Sequence, residues 1–221
     1  MTQITLDRPP VNALDHGAIL ALTAAFEGAD EALPVILTGG GDAFSAGVDT
    51  RAFAGYAPAE KATMVRAITR MTASILAHPA PVIAAVNGHA LGGGFVLMLC
   101  ADVRLVSDKA GTRFGLTEAK AGVPFPAGPL EIIRAEIEPN LLRRLTLTSE
   151  VIGADILCAS GIADRIIPAG RLPDASRKAA IETAAQLAFT IVKRQMRGAL
   201  LQRVKALADS GEDPLASRFE A

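Results

Sequence analysis

The residues best suited to chemistry lie in two glycine-rich loops. One loop holds the string FSAGVD at 44–49, and the other holds NGHALGGG at 87–94. Each loop follows a short β-branched run and leads toward a predicted helix. A helix N-terminus presents backbone N–H groups without internal partners, and glycine lets a substrate oxygen approach such donors closely. Two donors from separate loops can converge on one oxygen and stabilise negative charge that develops on it.

The elements that must position these loops follow from hydrophobic periodicity and from proline and glycine signals. Strands are predicted at 2–6, 34–38, 82–86, 103–107 and 112–115, and helices at 15–29, 58–77, 94–100 and, largely, 178–207. The end of the chain, 209–221, is predicted to be frayed. Val35 and Val82 each follow a proline, lie 47 residues apart and lead into a glycine-rich loop. This recurrence indicates stacked strand–strand–helix turns in a mixed α/β protein.

The composition of the 221 residues argues against several function classes. A formal net charge of −1, no Trp and one Tyr provide no basic stripe with stacking aromatics, so nucleic-acid binding is not expected. Three histidines spread along the chain argue against a metal site. The uncharged run 80–101 is long enough to span a bilayer. However, Pro81, Asn87 and three glycines would leave backbone groups unpaired in lipid, so no membrane segment is expected.

The N-terminal residues and the two cysteines indicate in which cellular compartment the protein is expected. The first residues, MTQITLDRPPVNALD, show no signal-peptide pattern. Cys100 and Cys158 lie in apolar sequence and are predicted to be buried free thiols, which is typical of a reducing environment. We therefore expect a cytoplasmic protein.

A serine-hydrolase alternative depends on Ser45. The string AFSAG at 43–47 is one residue short of the G-x-S-x-G elbow, because Ala43 stands where glycine is needed. Ser45 would also need His78 or His89 nearby as its base. His89 lies inside the second loop and is expected to bond locally instead.

In combination, these strings resemble the crotonase (enoyl-CoA hydratase/isomerase) superfamily. The resemblance is carried by RPPVNAL at 8–14, FSAGVD at 44–49, NGHALGGG at 87–94, CAD at 100–102, FGLTE at 114–118 and GIAD at 161–164 before Ile167-Pro168. It covers about residues 4–195. It implies a crotonase (ClpP-like) fold, with stacked ββα superhelical turns and the acyl-CoA site over 1–168 and a C-terminal helical trimerisation region over 169–221.

The resemblance also implies a substrate, an assembly and a set of site residues. Members bind acyl-CoA thioesters, hold the thioester oxygen in a two-donor oxyanion hole and assemble as homotrimers or dimers of trimers. No metal or redox cofactor is implied, since CoA arrives as part of the substrate. By motif, the oxyanion donors are the N–H groups of Val48 and Gly93. The residues expected to contact the CoA ester are Arg8, Ala13, Ala46, Gly47, Asp49, Thr50, Arg51 and Gly92.

The carboxylates separate the activities of the family. Its hydratases use two glutamates, and the two positions hold Val96 and Glu118 here. Addition of water needs one group to activate the water and another to deliver a proton, and valine does neither. One carboxylate is sufficient to take a proton from C2 of a 3-enoyl thioester and return it at C4. The GLTE string at 115–118 resembles the monofunctional 3,2-enoyl-CoA isomerases, so this reaction is predicted.

Two further expectations accompany the isomerase prediction. An apolar wall including Phe95, Val96 and Leu97 should raise the pKa of Glu118 by desolvation. Glu131 is a second acid near in sequence, but its isoleucine neighbours indicate an ordinary amphipathic helix. An enoyl-CoA hydratase and a non-catalytic acyl-CoA-binding homologue remain the alternatives.

Overall fold

The structure is a computed structural model that describes residues 1–220. Its strands are β1 (Thr2–Leu6), β2 (Val35–Gly39), β3 (Ala43–Ser45), β4 (Val82–Val86), β5 (His89–Leu91), β6 (Val103–Ser107), β7 (Phe114–Gly115), β8 (Val151–Ile152) and β9 (Arg165–Ile167). Its α-helices are α1 (His16–Glu27), α2 (Thr50–Gly55), α3 (Pro58–Ala77), α4 (Gly93–Cys100), α5 (Glu118–Ala121), α6 (Ala127–Glu136), α7 (Pro139–Leu147), α8 (Ala154–Ala159), α9 (Leu172–Ala184), α10 (Phe189–Ser210) and α11 (Pro214–Glu220). A 3₁₀ turn spans Ala169–Arg171.

The strands form two sheets that are stacked by repeated turns of the chain. The larger sheet has the order β1-β2-β4-β6-β9 and its pairs are all parallel. The smaller sheet has the order β3-β5-β7-β8 and is parallel except for its last pair. Successive turns each add a long strand, a short strand and a helix: β2-β3-α2, β4-β5-α4 and β6-β7-α5. The predicted crotonase-type ββα architecture is confirmed.

The apolar sequence of the second ββα unit, β4-β5-α4, agrees with its buried position. All five residues of β4 are buried, as expected for a parallel strand covered on both faces. Helix α4 is buried at every residue from Gly94 to Cys100. A helix that is apolar on all sides belongs inside the protein. Its N-terminus therefore lies in the interior, directly after the second glycine-rich loop.

The structure corrects three predictions. The loop around 42–53 contains β3 and α2, and the helical stretch 178–207 is divided into α9 and α10. The C-terminal end forms α11 on the surface of α3, where Leu215 and Ala216 pack against Ala62 and Val65. Burial of these apolar side chains stabilises a helix that is too short to persist alone. Ala221, included in the frayed segment, lies outside the described residues.

One cysteine prediction also needs correction. Cys100 is a buried free thiol, as predicted, but Cys158 is only half-buried. Cys158 lies in α8, a six-residue surface helix of which Leu157 is the buried member. The thiol therefore borders the core without entering it.

The C-terminal helices cover the ββα core. Helix α9 packs on β2, β4 and β6, whereas α10 packs on α3 and α6. Buried charges fix α10 in place: Asp102 bonds to Lys193 Nζ at 2.6 Å and to Arg197 Nη1 at 3.1 Å, and Glu136 bonds to Arg197 Nη2 at 2.6 Å. Across residues 1–220, the structure has no helix with the length and apolarity needed to cross a membrane.

Candidate active site

The two glycine-rich loops meet backbone to backbone. Gly47 has φ +82°, in the left-handed region that favours glycine. A β-carbon on Gly47 would lie 2.6 Å from the Leu91 carbonyl oxygen and 2.8 Å from the Gly93 nitrogen. Only a residue without a side chain permits this approach. The sequence FSAGVD therefore brings Val48 next to Gly93.

The amides of Val48 and Gly93 lie side by side and have no hydrogen-bond partner among residues 1–220. A β-carbon on Gly93 would lie 3.7 Å from the Val48 nitrogen, so the two amides are neighbours. Within residues 1–220 neither amide donates a hydrogen bond. The adjacent amides do: Asp49 N–H donates to Leu14 at 2.9 Å, and Gly92 N–H donates to the Gly115 carbonyl at 2.9 Å. The predicted donor pair thus consists of two adjacent, unpartnered N–H groups.

Glu118 lies beside this pair, at the start of α5. A β-carbon on Gly92 would lie 3.3 Å from Glu118 Oε1, so the carboxylate lies against the second loop. Glu118 Oε2 is buried and has no hydrogen-bond partner. Burial disfavours the charged form and raises the pKa of Glu118 to about 7. A carboxyl group with this pKa can both accept and return a proton near neutral pH.

These groups face a cavity of about 100 Å³ with an almost entirely apolar wall. Its lining consists of Leu14, Ala46, Val48, Thr50, Phe53, Val65, Ile68, Met71, Thr72, Gly92, Gly93, Val96, Thr117, Glu118, Ala121, Val123, Pro124, Phe125, Pro126, Pro129 and Leu215. Glu118 is the only ionisable side chain in this lining. Val96 faces the cavity, as predicted, whereas Phe95 and Leu97 are fully buried elsewhere in the core and do not line it. The desolvation of Glu118 therefore comes from the cavity wall as a whole.

The predicted CoA-contacting residues separate into two groups. Ala46, Thr50 and Gly92 line the cavity. Gly47 does not line it but lies against the backbone of Gly92 and Gly93, which do. The remaining four, Arg8, Ala13, Asp49 and Arg51, do not line it.

The second group forms a polar cluster beside the cavity. The Arg8 guanidinium bonds to Asp49 at 2.7 Å, to Asp15 at 3.0 Å and to the Ala13 carbonyl at 3.1 Å. Asp49 also caps α2 by accepting from Arg51 and Ala52 N–H. The Ala52 N–H bond and the Arg8 guanidinium lower the pKa of Asp49. These contacts fix the loop that carries Val48, and the expected contacts with CoA stay predictions.

Other sequence candidates have local roles. Ser45 is fully buried, and its Oγ donates to the Asn12 carbonyl at 2.8 Å and accepts from Gly47 N–H at 3.1 Å. No histidine bonds to Ser45 among the described residues, so the hydrolase hypothesis is wrong. His89 Nδ1 accepts from Arg113 N–H at 3.1 Å, a local bond as expected.

One more candidate, Glu131, lies outside the site. Glu131 pairs with Arg134 and Arg203 away from the cavity, in agreement with the amphipathic helix predicted there. Among residues 1–220 no group of three His, Cys, Asp or Glu side chains could hold a metal ion.

Sequence reasoning missed most of the cavity wall. Phe53, Phe125 and Leu215 come from α2, from the loop before α6 and from α11. No periodic pattern connects these positions, because each element contributes one side chain across a long sequence separation. The proline cluster at 124–129 was the one available signal, since it marks a rigid loop shortly after Glu118.

The fold agrees with what the comparisons with known proteins show. The sequence profile of the enoyl-CoA hydratase/isomerase family matches residues 1–216. The chain belongs to this family. The chain is also similar to a carnitinyl-CoA dehydratase of Salmonella paratyphi A, with 35% identity over 202 residues, which are 88% of this chain and 76% of the relative. The chain is thus an acyl-CoA-processing enzyme of the enoyl-CoA hydratase/isomerase family.

Solved structures of family proteins superimpose closely on this chain. A protein of Mycobacterium tuberculosis is named an enoyl-CoA isomerase in one structure, which has a TM-score of 0.84 at 26% identity and covers 95% of this chain and 92% of that one. A second structure of the same protein, with a TM-score of 0.86 at 26% identity and coverage of 99% and 92%, names it a probable enoyl-CoA hydratase. An enoyl-CoA hydratase/carnitine racemase of Magnetospirillum magneticum has a TM-score of 0.80 at 28% identity, covering 89% and 76%. Because these names span isomerase, hydratase and racemase, the reaction of this chain must be argued from its own residues.

Proposed function

We propose that this family member is a Δ3-Δ2 enoyl-CoA isomerase. The observation that carries the proposal is that Glu118 is the single ionisable group of an apolar cavity, next to two unpartnered amides. The position of the first glutamate of the family's hydratases is Val96, which lines the same cavity. A site with one carboxylate and two charge-stabilising donors suits a proton transfer within one substrate.

The proposed reaction moves one proton between two carbons of the substrate. The thioester oxygen accepts from Val48 and Gly93 N–H. The Glu118 carboxylate takes the proton from C2, and the C–H electron pair enters a dienolate whose oxygen bears the charge. The same carboxyl group returns the proton at C4, and the double bond then lies between C2 and C3. Electrons and protons balance, so the step needs no metal or redox cofactor, and CoA arrives as part of the substrate.

The rate enhancements typical of oxyanion donors and of a general base support these roles for the two amides and for Glu118. One oxyanion donor contributes roughly 10²–10³ to the rate, and a positioned general base contributes about 10²–10⁴. A carboxyl group with a pKa of about 7 is half ionised at neutral pH, so it accepts and releases the proton with little thermodynamic bias.

A dehydratase or hydratase is the second candidate, favoured by the 35% identity to a carnitinyl-CoA dehydratase. Loss or addition of water needs a proton donor for the hydroxyl group besides the base at C2. A carnitinyl chain also carries a trimethylammonium group, and the cavity offers it no carboxylate apart from Glu118. Both requirements argue for the isomerase over the dehydratase.

We further propose that the protein is cytoplasmic and forms homotrimers through an apolar surface on α9 and α10. Ile181, Ile191 and Met196 are 60%, 64% and 77% exposed, and Leu187, between the two helices, is fully exposed. Several neighbouring exposed apolar side chains are typical of an interaction surface. Sedimentation equilibrium tests this proposal: a monomer of 22.9 kDa at micromolar concentration would contradict it.

The isomerase proposal is tested with two substrates and one matched pair of variants. Purified protein is incubated with a 3-enoyl-CoA, and formation of the conjugated thioester is followed by its absorbance. We expect turnover by the wild type, a loss of at least about a hundredfold in Glu118→Gln, and wild-type rates in the surface control Glu131→Gln. With a 2-enoyl-CoA we expect no hydration.

Other outcomes identify the alternatives. Hydration of crotonyl-CoA that is abolished by Glu118→Gln would establish a hydratase instead. Tight binding of acyl-CoA esters without turnover of any unsaturated thioester would establish a non-catalytic binding protein.

A further inference from the structure

The C-terminal segment 211–220 reaches the cavity wall, although it is the part of the chain farthest in sequence from Val48. Leu215 of α11 lines the cavity and is 5% exposed. It packs in a separate apolar cluster with Ala62 and Val65 of α3, and Val65 also lines the cavity. The segment therefore completes one part of the wall.

Asp213 holds this segment against the loop that follows Glu118. Its carboxylate is 4% exposed and accepts from Ala127 N–H at 2.7 Å and from Leu215 N–H at 2.8 Å. Ala127 begins α6, directly after the cavity-lining residues Phe125 and Pro126. One buried carboxylate thus caps two helices and joins two parts of the cavity wall.

Both ends of α11 have additional anchors. Arg66 Nε donates to the Gly211 carbonyl at 2.8 Å, and Arg66 Nη2 pairs with Glu220 at 2.7 Å. The ring of Phe219 makes an edge contact with that of Phe53, at 5.7 Å between centroids. Phe53 belongs to α2, the helix that follows the Val48 loop, and lines the cavity itself. The position of Leu215 is consequently fixed from α2, α3 and α6.

We infer that Leu215 determines which acyl-chain lengths the site accepts, with Asp213 as the positioning residue that holds it. This inference rests on the proposed function, in which C2 to C4 of the acyl chain lie at Glu118. Carbons beyond C4 must then enter the apolar part of the cavity formed by α2, α3 and α11. The side chain of Leu215 would then limit how far an acyl chain extends into that part of the cavity.

The test measures binding of saturated acyl-CoA esters, which an isomerase cannot turn over. Dissociation constants are determined by calorimetry for acyl chains of four, six, eight, ten and twelve carbons. In the wild type, affinity should rise by about fourfold per added methylene and then stop rising once the chain meets Leu215. In Leu215→Ala the affinity should keep rising for about two more carbons beyond the chain length at which the wild type stops gaining affinity. At that longer chain length the variant should bind roughly fifteenfold more tightly than the wild type.

Two variants make the result specific. Leu200→Ala removes an equally buried leucine, 5% exposed, in α10 outside the cavity lining, and should keep the wild-type dependence on chain length. Leu215→Phe should shorten the accepted chain, and it tests the inference from the opposite direction if Leu215→Ala does not fold. An unchanged dependence in the folded Leu215 variants, or an equal change in Leu200→Ala, would overturn the inference.

The binding test also separates this inference from the isomerase proposal. A shifted chain-length dependence without isomerase turnover leaves Leu215 as the length determinant of an acyl-CoA site with another activity. Isomerase turnover with an unshifted dependence removes only the role of Leu215. Absence of binding to every acyl-CoA would overturn both.

Discussion

The Glu118 carboxylate lies against the backbone of Gly92, so closely that a β-carbon there would be 3.3 Å from Oε1 and 3.8 Å from the carboxyl carbon. The other carboxylate oxygen is buried without a partner. An unpaired buried polar atom destabilises the fold, and such groups persist where function requires them. Under the proposed function, Gly92 and Glu118 therefore form the reactive part of the cavity.

The first prediction concerns the dependence of activity on pH. Because Glu118 must be ionised to accept a proton and burial raises its pKa to about 7, kcat/KM should fall as pH decreases through 7. We expect a value about tenfold lower at pH 6 than at pH 8, measured with a 3-enoyl-CoA. A profile that is flat between pH 5.5 and 8 would contradict the role of Glu118 as base.

The second prediction concerns stability and has the opposite dependence on pH. The pKa of Glu118 rises from 4.5 to about 7 on folding, so between these values the folded state binds more protons than the unfolded state. Glu118 therefore contributes to the free energy of unfolding in full below pH 4.5, and this contribution decreases as pH rises through 7. Glu118→Gln should therefore be more stable than the wild type at pH 8, by up to about 3 kcal/mol, and no more stable at pH 4.5.

Urea denaturation at both pH values checks the second prediction. Glu131→Gln is the control, since Glu131 lies outside the cavity. Equal free energies of unfolding of Glu118→Gln and wild type at pH 8 would show that the ionised, buried carboxylate does not destabilise the fold.

The third prediction compares two glycines with positive φ. Gly92 (φ +51°) lies beside Glu118, whereas Gly111 (φ +75°) has open space where a β-carbon would be. Alanine at Gly111 is forced to a positive φ, which costs about 1 kcal/mol. At Gly92 the ψ of −124° lies outside the left-handed helical region, so alanine there is strained more. Only Gly92→Ala also displaces the carboxylate. We expect a larger loss of stability in Gly92→Ala, up to about 3 kcal/mol, than in Gly111→Ala. We also expect the folded protein to lose at least about tenfold in kcat/KM in Gly92→Ala alone.

The fourth prediction concerns the position that departs from the family's hydratases. Val96→Glu places a second carboxylate in the cavity, one helical turn after Gly92, where it faces Glu118. We expect measurable hydration of crotonyl-CoA and a decrease of isomerase activity. Val96→Gln has nearly the same shape without the charge and should not hydrate. Hydration by the wild type at the same rate as Val96→Glu would contradict the assignment.

How much of the fold could be predicted depends on what stabilises each element. The bounds of β1, β4, β6 and α3 agree with the sequence prediction, because their own apolar patterns specify them and a proline marks the start of β4 and of α3. The short strands β3 and β5 were missed. Each has three residues and forms only by pairing with a distant partner, such as Ala43 with His89.

The site could be predicted only in part for the same reason. The glycine-rich strings and Glu118 lie in recognisable motifs, so the groups proposed to react could be identified from the sequence. The place of Leu215 in the cavity wall could not be predicted from the sequence, because it depends on the capping of two helices by Asp213 and on packing against Val65. Its segment carries the turn residues of a chain end, and only tertiary contacts make it helical.

The last prediction concerns the buried charges that hold α10. Asp102 and Lys193 side chains are each 8% exposed, and Asp102 also pairs with Arg197. Asp102→Asn leaves Lys193 in the interior without a carboxylate, whereas Arg197 keeps its pair with Glu136. The uncompensated charge of Lys193 should lower the free energy of unfolding by about 3–5 kcal/mol. Glu182→Gln, which breaks the exposed pair with Lys178, is the matched control and should cost less than about 0.5 kcal/mol. Because α10 packs on α3 and α6, whose residues line the cavity, acyl-CoA affinity should fall together with stability in Asp102→Asn. If stability falls while affinity is unchanged in the remaining folded protein, α10 supports the fold without supporting the site.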